Sequence, residues 1–113
     1  MPDHHDAALI VQLAQWGEVM GLDEASAALF DDSFDPETAS VQDAPVRKIL
    51  RWGETIGTLT KNGLLDRDLV LDWLWAQGLW ERVGPAAREQ RERFNVPQLY
   101  ENFEALAKAQ ANP

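Results

Sequence analysis

Between Gly63 and Val83 the chain gathers three of its five tryptophans into one run, Gly-Leu-Leu-Asp-Arg-Asp-Leu-Val-Leu-Asp-Trp-Leu-Trp-Ala-Gln-Gly-Leu-Trp-Glu-Arg-Val. At about 100° per residue, Leu69, Trp73, Ala76, Trp80 and Val83 fall on one seam of a helix, and a seam of that kind belongs in a core. Leu71, Trp75 and Leu79 form a second row on the other side. A helix apolar on two sides is either central to a bundle or part of an interface. The spacing therefore predicts an all-α fold, a compact bundle of four to six helices around this Trp-rich central helix.

A chain of 113 residues with 45% apolar content suits a single domain spanning 1–113. Its termini, 1–6 and 110–113, are expected to fray. The formal charge is −9, and residues 1–43 hold ten of the 19 acidic residues and no Lys or Arg. Such a balance disfavours nucleic acid and anionic membranes as partners. The acidic half reads as a solvated face that partly neutralises basic helices packed beside it. If its carboxylates cluster, it could instead mimic nucleic acid toward a basic protein. With no cysteine there is no disulfide framework, thiol nucleophile or thiolate metal site, and the cytoplasm fits best. No run approaches 18 apolar residues, so no membrane span is expected.

Taken in order, Leu9, Leu13, Trp16 and Met20 mark a first helix, with Asp3 or Asp6 placed to cap it and Gly21 to end it. Asp23 is the expected cap of a short second helix ending near Phe30. Residues 31–43, acidic and without apolar periodicity, read as an exposed, mobile loop. Ala44-Pro45 opens a third helix whose buried stripe is Val46, Ile49, Leu50, Gly53, Ile56, Gly57 and Thr60, with Arg47, Arg51 and Glu54 opposite. Asn62-Gly63 stops it. Asp66 caps the tryptophan helix, which Gly84-Pro85 should kink or break. Arg88 with Glu92 and Glu89 with Arg93 are spaced for ion pairs on a solvated segment, and Leu99, Phe103 and Leu106 give the last helix its apolar stripe. The core expected from these patterns is Leu9, Leu13, Trp16, Met20, Val46, Leu50, Ile56, Trp73, Trp80 and Phe103.

Chemistry is sparse. His4 and His5 stand beside Asp3 and Asp6, but adjacent residues on a helix diverge and do not make a metal site. Asp31-x-Ser33-x-Asp35 begins like a calcium loop and fails where Pro36 replaces glycine and Gln42 replaces glutamate. Neither a Gly-rich phosphate loop nor a His-centred triad occurs, so no catalytic, cofactor-binding or metal-binding residue is assigned. Asp72, between the two apolar rows, is expected to pair with a basic residue such as Arg82.

Trp16-Gly17-Glu18-Val19-Met20-Gly21 and Trp52-Gly53-Glu54-Thr55-Ile56-Gly57 share one pattern, and glycine inside a helix points to close helix crossings. The second copy, with Lys61-Asn62-Gly63-Leu64-Leu65-Asp66, Trp80-Glu81-Arg82-Val83 and Leu99-Tyr100-Glu101-Asn102-Phe103-Glu104, resembles a bacterial all-helical family of unknown function across residues 7–107. That resemblance implies the fold and carries no catalytic residues. A membrane anchor often precedes the domain in the family. Two functions remain in view. One is a protein–protein interaction or regulatory module, a homodimer or the partner of another protein, with Leu71, Trp75 and Leu79 at the interface. The other is a small-molecule binder or minor enzyme, its pocket lined by Trp52, Trp73, Trp75 and Tyr100 with Asp72 as polar group.

Overall fold

The first helix, α1 (His4–Met20), starts on a reciprocal pair of acids. Asp3 accepts from the backbone N–H groups of His5 at 2.9 Å and Asp6 at 3.0 Å, and Asp6 accepts from the Asp3 N–H at 2.9 Å. These bonds satisfy donors that a helix start leaves orphaned. Asp6 does more than cap. Its other oxygen accepts the backbone N–H of Asp66 at 2.8 Å, tying the start of α1 to a turn 60 residues away. Residues 3–6 are therefore tied into the fold by these bonds; Met1 and Pro113 lie outside the residues 2–112 that this computed structural model describes.

Gly21, at φ +76°, ends α1 and begins α2 (Leu22–Leu29) in one residue. Asp23 consequently sits in the first turn of α2, beside the helix dipole's positive end, and is not the cap. The 31–43 loop is more ordered than its composition suggests. Asp31 takes the Ser33 N–H and hydroxyl, Asp35 the Glu37 N–H and Asp43 the Ser40 N–H, while Val41 is buried in the core. The acids fold the loop onto itself, and Val41 fastens it to the core.

α3 (Ala44–Lys61) carries its proline in the first turn and buries Val46, Ile49, Leu50, Trp52, Gly53, Ile56 and Gly57. It packs on α1, α2, α5 and α6, so this helix occupies the middle of the bundle. The tryptophan run does not form one helix there. It divides into α4 (Arg67–Trp73), capped by Asp66 on the Leu69 N–H at 3.0 Å, and α5 (Ala76–Phe94), which passes straight through Gly84-Pro85. The expected seam is broken between Trp73 and Ala76, and the expected break at Pro85 is absent.

Both departures have a tertiary cause. Leu74 turns extended, φ −113° and ψ +127°, and the freed backbone groups are met from the far end of the chain. Gln110, in the last turn of α6 (Glu101–Ala111), donates to the carbonyls of Leu71 at 3.0 Å and Leu74 at 2.8 Å and accepts the Gln77 N–H at 2.8 Å. Gln110 and Ala111 are helical. On α5, Trp80, Val83, Ala86 and Ala87 are all buried, so packing on either side of Pro85 outweighs the bond the proline removes. Among the described residues there are six helices and no strand, and no helix is long and apolar enough to cross a membrane.

Of the expected core, Leu13, Val46, Leu50, Ile56, Trp80 and Phe103 are buried, while Leu9, Trp16, Met20 and Trp73 pack against it half-covered. Phe103 is fully enclosed and meets Trp80 edge-on, with centroids 5.4 Å apart.

Candidate functional site

The two quoted motifs, Trp-Gly-Glu-x-x-Gly on α3 and Tyr-Glu-Asn-Phe at the start of α6, meet face to face. A Cβ on Gly53 would stand 2.5 Å from the Phe103 ring, and one on Gly57 would stand 2.5 Å from the backbone carbonyl of Asn102. Neither space admits a methyl group. Glu54, expected on the solvent side, instead accepts the Phe103 N–H and the Asn102 side-chain amide, each at 2.9 Å. Trp52 completes the motif by donating its indole N–H to the Leu13 carbonyl at 3.0 Å. These bonds join α1, α3 and α6, so the motif holds three helices together. In the first copy, Gly17 faces Leu22 and the Trp52 indole, a second close crossing.

The expected pocket residues do not converge. Trp52 and Trp73 meet edge-on, centroids 5.5 Å apart, in the wall of a 280 Å³ groove that also includes Leu22, Ser26, Leu74 and Leu79. Neither Asp72 nor Tyr100 is in that wall. Asp72 is exposed and forms no ion pair among the described residues, and Arg82 lies beside the Phe30 ring instead. Tyr100 lies between α3 and α5, its hydroxyl donating to the Gln90 side chain at 2.9 Å. Burial pushes that hydroxyl above its ordinary pKa, with Arg51 pulling down and Glu54 pushing up.

The expected interface row also separates. With the helix interrupted, Leu79 turns into the core, Leu71 is half-buried and Trp75 stays 61% exposed. Phe30, which sequence reasoning left at the end of α2 without a role, joins Trp75. Their rings stack at 5.7 Å and 11°, and the Arg82 guanidinium lies 5.2 Å from the Phe30 centroid. The indole lies flat on Gly78, where a Cβ would come within 2.4 Å of it. This is a preorganised aromatic surface with a cation beside it, and it adjoins the Trp52–Trp73 groove through Leu74 and Leu79. The signal in the sequence was Gly78, three residues after Trp75.

Electrostatics elsewhere is structural. Hydrogen bonds from the Asp66 and Asp3 backbones hold the Asp6 carboxyl below its usual range, and bonds from Ser33 do the same to Asp31. The four ion pairs found among the described residues, Lys61–Glu101, Arg91–Glu104, Arg93–Glu89 and Lys108–Glu104, all lie within residues 61–108. The acidic half thus neutralises no basic helix through an ion pair. Asp3 and Glu18 lie toward opposite ends of α1, about 22 Å apart along its axis, so these acids are spread along the helix. Arg88 leaves Glu92 and lies over Trp80 instead, 6.0 Å from the ring centroid. Among the described residues no three His, Asp or Glu side chains are grouped to hold a metal ion.

No curated protein and no solved structure matches the chain. A family model described as a domain of unknown function, DUF4760, matches residues 5–110, and the chain belongs to that family.

Proposed function

We propose that this domain is a protein–protein interaction module whose contact surface is centred on Trp75 and Phe30, and that its partner is a second copy of the chain. The observation that carries this reading is the posture of Trp75. A 61% exposed indole stacked on Phe30 and seated on a glycine is already held in one orientation, so a partner meets it at little entropic cost. The surface also carries both signs of charge. Arg82 stands beside Phe30, and Glu18 and Asp23 are in the wall of the neighbouring groove, which suits a two-fold arrangement that sets opposite charges against each other. Leu74, shared by groove and patch, would then line the slot that receives the partner's Trp75. A chain of net charge −9 makes nucleic acid an unfavourable partner for the same surface.

Light scattering at tens of micromolar tests this, on the wild type and on Trp75→Glu. The expected result is a two-chain mass for the wild type and a folded single chain for the variant. A wild-type mass of one chain overturns the self-association, and a variant that stays dimeric moves the interface away from Trp75.

A further inference from the structure

A second concave site opens on a different part of the surface, between α3, α5 and the turn before α6. It is a half-open cleft of about 420 Å³, and its wall includes Arg47, Arg51, Glu54, Thr55, Gln90 and Tyr100. Arg47, Arg51 and Thr55 are spaced i, i+4, i+8, so α3 presents them along one face. Neither guanidinium group has a carboxylate partner among the described residues. Arg47 is steadied by donating one nitrogen to the Gln42 carbonyl at 2.9 Å, leaving its other donors unused. Arg51 makes no side-chain hydrogen bond within the described chain.

The remaining polar groups are already oriented. The Tyr100 hydroxyl donates to the Gln90 carbonyl oxygen, which leaves the Gln90 amide hydrogens without a partner. Glu54 is the carboxylate in the wall, but its oxygens are occupied by the Phe103 N–H and the Asn102 amide. Two guanidinium groups against this one carboxylate leave the wall net positive. Guanidinium groups present planar, paired donors that match carboxylate and phosphate oxygens.

We propose that this pocket binds a small organic oxyanion, its phosphate or carboxylate head held by Arg47, Arg51 and Gln90 and its apolar body against Tyr100 and Val41. The volume exceeds what a free inorganic ion fills, and Val41 supplies an apolar wall. This site shares no lining residue with the Trp75–Phe30 surface and does not depend on self-association.

The test is a ¹H–¹⁵N titration at constant ionic strength with inorganic phosphate, phenyl phosphate and benzoate. Saturable shifts at Arg47, Arg51, Gln90 and Tyr100 are expected, with an aryl probe binding more tightly than inorganic phosphate. The tighter of phenyl phosphate and benzoate identifies the head group as phosphate or carboxylate. Arg51→Gln, at an exposed position where folding is insensitive, should weaken binding by about tenfold or more. Shifts that never saturate, or an unchanged affinity in Arg51→Gln, overturn the proposal.

Discussion

Glu54 of α3 caps α6 by accepting the backbone N–H of Phe103 at 2.9 Å across 49 residues of sequence. No side chain of α6 or its preceding turn caps that helix, and Tyr100 at the cap position is held at φ +60°. A helix start without a local cap is thus completed by a neighbouring helix. Glu54→Ala should cost about 1–2 kcal/mol in urea unfolding, because a donor near the buried Phe103 is left unanswered. Glu54→Gln should recover part of that loss. An alanine variant as stable as the wild type would show that the cap contributes nothing.

Two glycines of the same helical type should respond differently to alanine. At Gly57 the obstacle is the Asn102 backbone at 2.5 Å, which cannot yield without moving α6. Gly57→Ala should therefore destabilise by about 1–3 kcal/mol in spite of alanine's better helix propensity. At Gly78 the obstacle is the exposed Trp75 ring, which a Cβ would displace from its seat without moving a helix. Gly78→Ala should be nearly neutral in stability while shifting the tryptophan fluorescence. Equal losses at both sites would contradict this account.

Gln110 closes the break between α4 and α5 with three hydrogen bonds, and no other side chain is placed to replace it. Gln110→Ala should cost about 2 kcal/mol, the Gln77 amide losing protection first. Hydrogen exchange read residue by residue checks this, and unaltered protection at Gln77 would count against it.

Asp6 gives the protein a defined acid sensitivity. Its folded pKa is depressed, chiefly by the Asp66 backbone bond, so its contribution is present above the unfolded value of about 3.9 and is lost as pH falls through the folded one. Asp6→Asn should be less stable than wild type at pH 6, and the gap should narrow below about pH 4. A gap that is independent of pH would assign the effect to shape and not to charge.

The sequence by itself determined the elements whose signals lie within a turn or two. Asp3, Asp66, Pro45, Gly21 and Gly63 mark helix ends through bonds and backbone angles made by immediate neighbours, and the spacing of Val46, Ile49, Leu50 and Ile56 declares the buried face of α3. Local spacing also led to an unbroken tryptophan helix and a break at Pro85, and tertiary structure decided otherwise at both places. Leu74 unwinds because Gln110, 36 residues on, takes over the backbone bonds, and Pro85 stays helical because Trp80, Val83, Ala86 and Ala87 are buried around it. The separation of Trp75 from Leu79 follows from the same interruption, since Trp75, at φ −82° and ψ +71°, is also outside the helix while Leu79 lies within α5. Bonds such as Glu54 to Phe103 and Asp6 to Asp66 leave no periodicity in the chain, because their partners become neighbours only once the helices have packed.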